Sequence, residues 1–553
     1  MFFYLLLFFH ELNCFPMLRK LCVSLLLIFA SCKSHSPPPS DVLRISFAIQ
    51  PETIDPRKSG DVVSSTLICL IYDGLTRSDS DGYSELSVAE KIDVSEDKKT
   101  YTFHLRKTFW SDGQPVTASD FEKSWKKILD PSFPTPCSYL FYPILNAEAA
   151  FQGKKRTDEI GIKCLDDYTL EVRLERPTPY FLSLTSFPSY FPVPQHQVQE
   201  MDKAFSSHLI TNGPFYIEKI IPQSHISLKK NPVFWNVEET RLDGIEISII
   251  PNETTAFEMF QRGDLDWIGG IIAPLSPDVL ASLSVQKKLH YFPMTASTFC
   301  SFNTQSELFQ NENMRKAFSL AIDREEIASE IMTANQIPAT RCIPPSLCGG
   351  KNRRIFPPYN PTQAKKYLEQ GIRELGTTLE KIGPVTLLFR TGTVDRLIAQ
   401  VIQRRWKDVL GIDIKLIQMD FKTHKEFLHR REYQVAISYW VAQYQDPINI
   451  LERFKDSKNV KNYPAWDNPE YASLIDQILN AVNLEERGHL IEKAEDLIAE
   501  QIPLLPIYHW YNPCLIHPRV RNLCPIPSGG ILFEKCWIVK EDFCAECTQN
   551  QLD

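Results

Sequence analysis

From residue 41 onward the chain alternates between two hydrophobic periods. Leu43, Ile45, Phe47 and Ile49 are apolar at every second position, with Arg44 and Ser46 between them, which predicts an opening strand. Pro51, Asp55 and Pro56 then break it into an ordered turn. Asp81-Gly82 predicts a hairpin turn, residues 101–106 alternate again, and Asp112-Gly113 turns the chain. Thr117-Ala118-Ser119-Asp120 is a capping box. The helix it opens places Phe121, Trp125, Ile128 and Leu129 on one face, so Trp125 is expected in the core. Residues 170–174 form a strand stopped by Pro177 and Pro179.

The helical period returns over 254–261, stopped at Gly263, and over 313–324, where Met314, Phe318 and Ala321 share one side. A second block covers 361–499. It reads as a helix over 362–370, a strand over 385–389, a helix over 395–410 and a strand over 412–417. Helices over 471–482 and 484–499 follow, before a Pro-rich exit at Pro503 and Pro506. No tandem repeat interrupts the pattern. The class is mixed α/β, with separated segments returning to shared sheets.

The first 40 residues follow a different pattern. Met17 opens a stretch with Arg19 and Lys20, then an apolar run from Leu21 to Phe29, then Ala30, Ser31 and Cys32. A basic start, an apolar run too short to span a bilayer and small residues at the cut site make an export signal. A Cys directly after the cut resembles the lipobox of bacterial lipoproteins, although Phe29 departs from it. Cys32 is therefore the expected lipidation site, placing the body outside the cytoplasm, tied to a membrane. An ordinary secretory signal beside a chance Cys would export the chain as well. Residues 17–32 are expected to be the true signal and 1–16 an upstream start chosen by mistake, because that first apolar stretch lacks a basic residue.

After residue 40 no long uncharged apolar run appears, and the length suits about two to four domains. The net charge of -8 comes with interspersed signs and no basic stripe, which argues against nucleic acid as a partner. Of 14 Cys, three (Cys14, Cys22 and Cys32) belong to the leader, which leaves eleven; an odd number means at least one unpaired thiol in the expected monomer. Cys342 and Cys348 flank a short loop that a disulfide could close. Cys544 and Cys547 have metal or redox spacing, but no second pair with His ligands follows them, so no cofactor is expected.

Several motifs occur in a telling order. They are Tyr72-Asp73-Gly74-Leu75, Phe103-His104-Leu105-Arg106, and the run from Trp110-Ser111-Asp112-Gly113 to Phe121 with Trp125. Asn212-Gly213-Pro214-Phe215-Tyr216, Asn231-Pro232-Val233-Phe234-Trp235 and Arg262-Gly263-Asp264-Leu265-Asp266 follow. Arg315-Lys316-Ala317 and Ala321-Ile322-Asp323-Arg324 complete the series. The whole resembles the peptide- and nickel-binding class of ABC-transporter substrate-binding proteins. That resemblance implies a two-lobed periplasmic-binding-protein-like fold with an inserted subdomain and a ligand cleft between the lobes. Lobe I is expected from 41–75, 210–297 and 511–553, the insertion from 76–209, and lobe II from 298–510. Ligand would be buried by hinge closure, which also signals loading to the permease subunits of the importer.

The stretch from Val435 to Pro447 is then decisive. In peptide-binding members of the class it resembles a strand ending in Gly-Trp, with an Asp three residues later that clamps the ligand's ammonium. Trp440 matches, Tyr439 replaces the Gly, and Gln443 stands at the clamp position. A neutral amide can accept a hydrogen bond but cannot neutralise a buried charge. Three readings stay open: Asp446 swings in, the ligand carries no free ammonium, or another carboxylate supplies the charge. Asp446-Pro447 also suits a turn. Val441 contributes strand backbone, while Phe421 and Trp510 occupy positions where relatives place cleft aromatics; each could equally be core. Ile437 stands where an Arg can meet a ligand carboxylate, and Arg430 and Arg431 read as solvated.

The expected function is capture of oligopeptides for an ABC importer. The same scaffold could hold a cell-wall peptide, a nickel chelate or haem, or serve as a sensory surface lipoprotein. Twelve scattered His do not favour nickel. No nucleophile elbow, His-Glu-x-x-His or phosphate loop points to an enzyme.

Overall fold

The computed structural model describes residues 41–198, 209–286, 288–328, 336–348 and 353–539. Cys32 with its leader, and Cys544 with Cys547, lie outside them. One sheet of 11 strands organises the chain. At its centre the strands His290–Phe302 and Leu504–Ile516 run antiparallel to each other, with His290 opposite Cys514 and Ser301 opposite Leu504. Thirteen residues in each give a reach of about 40 Å, enough to cross from one half of the molecule into the other.

On one flank, Trp267–Gly269 pairs with the end of Leu504–Ile516, and beyond it lie Val42–Phe47, Gly244–Ile249, His225–Lys230 and Phe215–Ile221. On the other flank, Val435–Val441 pairs with residues 296–302, followed by Val385–Arg390 and Ile414–Met419. This is a two-lobed α/β fold whose lobes share two continuous strands. A separate sheet of 4 strands, Ala89–Val94, Thr100–Leu105, Thr169–Arg173 and Ile162–Asp166, falls inside the segment read as an insertion.

The hydrophobic period places the core. Leu43, Ile45 and Phe47 are fully buried in the opening strand, and the strand stops before Ile49, which is 54% exposed. The capping box forms: Thr117 N–H donates to Asp120 Oδ2 at 2.8 Å. Trp125 on that helix is buried, its indole N–H donating to the Tyr190 carbonyl at 2.7 Å.

Three of the motifs meet at one junction. Asp73 accepts from the Trp235 indole at 2.8 Å, while its own N–H donates to the Asn212 side chain at 3.0 Å. Asn231 Nδ2 donates to the Gly213 carbonyl at 2.9 Å. A Cβ at Gly213 would lie 2.4 Å from the Ile71 carbonyl carbon, so only glycine permits this approach. Asp266 does similar work deeper in the core. It takes Arg44 at 2.8 Å and Arg519 at 2.6 Å, joining the first strand to the chain that follows the last long one. Burial pushes its carboxyl up, but the hydrogen bonds from Arg519 and Arg44 outweigh that and leave it below its ordinary value. In the other lobe, Arg315 and Arg324 are buried without carboxylate partners among the described residues. They donate to the carbonyls of Phe309 (2.7 Å) and Pro506 (2.8 Å) respectively. Burial lowers both guanidinium groups to about 10.

Two expectations are corrected. The helix expected over 313–324 is Glu312–Leu320, and a short new helix, Arg324–Glu326, begins at Asp323. The Asp323 carboxylate accepts from Glu325 N at 3.0 Å and Glu326 N at 3.2 Å, so the side chain restarts the helix instead of continuing it. The loop at Cys342 and Cys348 is not closed by a disulfide; both are free thiols, as are all the described cysteines. The loop is held by a buried ion pair between Arg341 and Glu495, with Ile343 N–H also donating to Glu495 at 3.1 Å.

His509 sits where the long strands cross between lobes, opposite Ser297, whose hydroxyl lies 2.7 Å from its Nδ1. Burial, and then Arg341, lower its imidazole to about 3 from an ordinary 6.5. Between those values the unfolded chain binds the proton and the folded one does not, so the stability is complete above pH 6.5 and is lost as pH falls toward 3. His509→Gln should flatten this part of the stability–pH profile, measured by urea unfolding at pH 4 to 7.

Candidate ligand-binding cleft

Val435–Val441 has two edges. One pairs with His290–Phe302 along its whole length, from Phe302 opposite Val435 to Ala296 opposite Val441. The other pairs with Val385–Arg390 only at Val435 and Ala436. Beyond Ala436 no neighbouring strand among the described residues covers that edge, so the backbone near Tyr439, Trp440 and Val441 can pair with an extended guest.

Trp440 is half-buried. Its indole N–H donates to Asn449 Oδ1 at 2.8 Å, and the Arg453 guanidinium lies 4.0 Å from its ring centroid. Tyr439 and Trp510 have ring centroids 5.5 Å apart, and Arg390 sits 4.3 Å over the Tyr439 ring. The Trp510 indole is fixed to Thr298 Oγ1 at 2.8 Å. Tyr439 and Trp510 therefore lie together on one face of the strands, while Trp440 points to the other face, toward Asn449 and Arg453. Phe421 lies apart from them, 57% exposed at the start of the helix Phe421–Arg430.

Gln443 faces Tyr139, which lies in the segment 76–209 expected as an insertion. Its side-chain oxygen accepts from the Tyr139 hydroxyl, a contact across the cleft between residues 304 positions apart. Tyr444 stacks on Tyr180 with centroids 4.5 Å apart and planes 9° from parallel. Arg176 and Glu452 add an ion pair at 3.5 Å. Two cavities share Gln443 as lining. One, of about 610 Å³, includes Trp440, Asn449, Arg453 and Lys461. The other, of about 270 Å³, includes Val441 and Asp61. The Lys461 ammonium lies 3.9 Å from the Tyr139 centroid. Burial, then Arg453, lower it to about 8.

Asp446 is placed differently from its neighbours. Arg487 grips both carboxylate oxygens, at 2.8 and 2.9 Å, and Ile448 N–H donates to Oδ1 at 2.9 Å. A buried carboxylate satisfied this way holds the turn into the helix Ile448–Leu451. Arg431 is tied to loop carbonyls, including Asn459 O at 3.4 Å, and Arg430 is exposed. Tyr139, Tyr180 and Lys461 were not legible as cleft residues, because nothing local marks them and only the tertiary fold brings them to the strand end. Among the described residues no group of three or more His, Cys, Asp or Glu is placed to hold a metal, and no helix is long and apolar enough to cross a membrane.

A family model described as bacterial extracellular solute-binding proteins, family 5 Middle, matches residues 85–462. The chain belongs to this family. It is 33% identical to the oligopeptide-binding protein OppA of Bacillus subtilis, covering 90% of this chain and 92% of that one. It is 27% identical to the periplasmic murein peptide-binding protein MppA of Escherichia coli, covering 86% and 88%. Among solved structures, Haemophilus influenzae OppA in complex with the peptide RPPGFSPFR superposes with a TM-score of 0.75 at 28% identity, covering 91% of this chain and 99% of that one. The family consists of solute-binding proteins.

The Tyr139–Gln443 bond joins the two walls of the cleft. Tyr139→Phe should shift the balance toward an open cleft by about 1 kcal/mol, read as a longer mean distance by fluorescence energy transfer between labels on the two lobes.

Proposed function

We propose that this chain is an extracytoplasmic receptor, tethered to a membrane through Cys32, that captures oligopeptides and hands them to the permease of an ABC importer. The observation that carries this reading is the uncovered edge beyond Ala436, set between two cavities and beside fixed aromatics. A strand edge recognises any extended peptide through its backbone, while roomy cavities accept varied side chains, so affinity depends little on sequence. Cleft closure would bury the guest, and a tether would keep the loaded receptor near its permease at high effective concentration. The B. subtilis relative, an oligopeptide-binding protein, and the H. influenzae relative, solved with a bound peptide, agree with peptide as the ligand.

A second reading is favoured by one observation. Gln443 carries no charge and its oxygen is already engaged by Tyr139, which suits a modified or cell-wall peptide whose end differs from a plain α-amine. The E. coli murein peptide relative lends it support. Native mass spectrometry of protein purified from its host tests both. A spread of retained masses matching short peptides is expected. One discrete sugar- or diamino-acid-containing peptide would select the second reading, and a single non-peptide ligand would overturn both.

A further inference from the structure

Two cations that line the 610 Å³ cavity beside Gln443, Lys461 and Arg453, have no acidic partner among the described residues. Arg453 is buried against the Trp440 ring and directs its Nε and Nη2 donors to the Lys461 carbonyl, at 3.2 and 3.0 Å. Its Nη1 is closed off from the cavity, whereas the Lys461 ammonium stays open to it. That ammonium lies 3.9 Å from the Tyr139 centroid and 5.5 Å from that of Trp440, and both rings line the same cavity. The rings orient the group, yet none of its three N–H donors reaches an oxygen among the described residues. The acids of this cavity are engaged elsewhere. Glu452 pairs with Arg176 at 3.5 Å, Glu175 accepts from the Asn146 N–H at 2.7 Å, and Glu148 accepts from the Gln152 side chain at 3.0 Å.

Tyr139 ties this cation to the strand end, because its hydroxyl bonds Gln443 while its ring carries Lys461. The position expected to clamp an ammonium is therefore neutral, and it shares Tyr139 and a cavity with a positive charge. A ligand ammonium placed there would be repelled. A compact anion would instead meet an ammonium in a partly desolvated space, where such pairing is stronger than in water. It would also reverse what burial and Arg453 do to Lys461, because an opposite charge favours the protonated form. We propose that Lys461 binds a carboxylate carried by the end of the ligand that lies at Gln443, so that an anion clamp replaces the ammonium clamp. This rests on the reading of the cleft as a peptide site. Two sources share the chemistry: the side chain of an acidic first residue, and a dicarboxylic acyl cap on the peptide's amine.

Calorimetric titration of the full chain with two acid–amide pairs separates these cases: Glu-Ala-Ala-Ala with Gln-Ala-Ala-Ala, and succinyl-Ala-Ala-Ala with succinamoyl-Ala-Ala-Ala. Each is titrated at neutral pH into the wild type, Lys461→Met and Lys461→Arg. In the wild type the acid of at least one pair should bind about tenfold or more tighter than its amide. Lys461→Met should bring that ratio close to one. Lys461→Arg should keep most of it, because arginine retains the charge. A preference confined to the glutamate pair identifies the side chain, and one confined to the succinyl pair identifies the acyl cap. A wild-type ratio near one in both pairs, an unchanged ratio in Lys461→Met, or an equal weakening of acid and amide in that variant would overturn the inference while leaving the peptide reading intact. Failure of all four peptides to bind the wild type would overturn both.

Discussion

The pairing of His290–Phe302 with Leu504–Ile516 is the constraint on which the rest depends. Their ladder runs from Cys514 opposite His290 to Leu504 opposite Ser301, so the same two strands form the inner edge of each lobe's share of the sheet. The ladder is irregular between Pro293 and Ser297 and again between Thr298 and Phe299. Irregular pairing in the middle of an otherwise continuous ladder concentrates bending there, because regular hydrogen bonding keeps each end stiff. The binding strand Val435–Val441 lies against one of these strands, and Trp510 is part of the other. A change of angle at the crossing therefore moves the cleft wall directly.

Buried charge fixes what the long strands carry. Asp266 with Arg44 and Arg519 secures one end, and Arg315 and Arg324 secure the other through backbone carbonyls. Such groups are costly to bury and strongly destabilising to break, which gives each lobe one arrangement. The cleft contacts are of another kind. The Tyr139–Gln443 bond, the Tyr180–Tyr444 stack and the half-exposed Arg176–Glu452 pair are neutral or solvent-screened. Contacts worth little individually suit surfaces that must separate and meet again.

Local order was legible and distant order was not. The capping box, the buried Trp125 and the opening strand could be read because each depends on residues within a few positions. The motif series indicated the fold, yet gave no role to Asp73, Asn212 and Trp235, whose meeting needs the chain to return over more than a hundred residues. Asp323 was read as the continuation of a helix because its neighbours keep the period; the cap bonds that restart the helix are visible only in three dimensions. Asp446 drew attention as a carboxylate shortly after Gln443 in sequence, but its partner Arg487 lies 41 residues further along. Tyr139 and Tyr180 come from residues 76–209, where no local pattern marks them as the partners of Gln443 and Tyr444.

The central claim is that the uncovered edge of Val435–Val441 holds ligand through its backbone. Amide hydrogen exchange, resolved to residues 437–443, measures this directly in the free protein and in the presence of a binding peptide. Slower exchange at these amides on binding, beyond any change in the paired strand His290–Phe302, is the predicted result. Peptide binding that leaves their exchange unaltered would contradict the account.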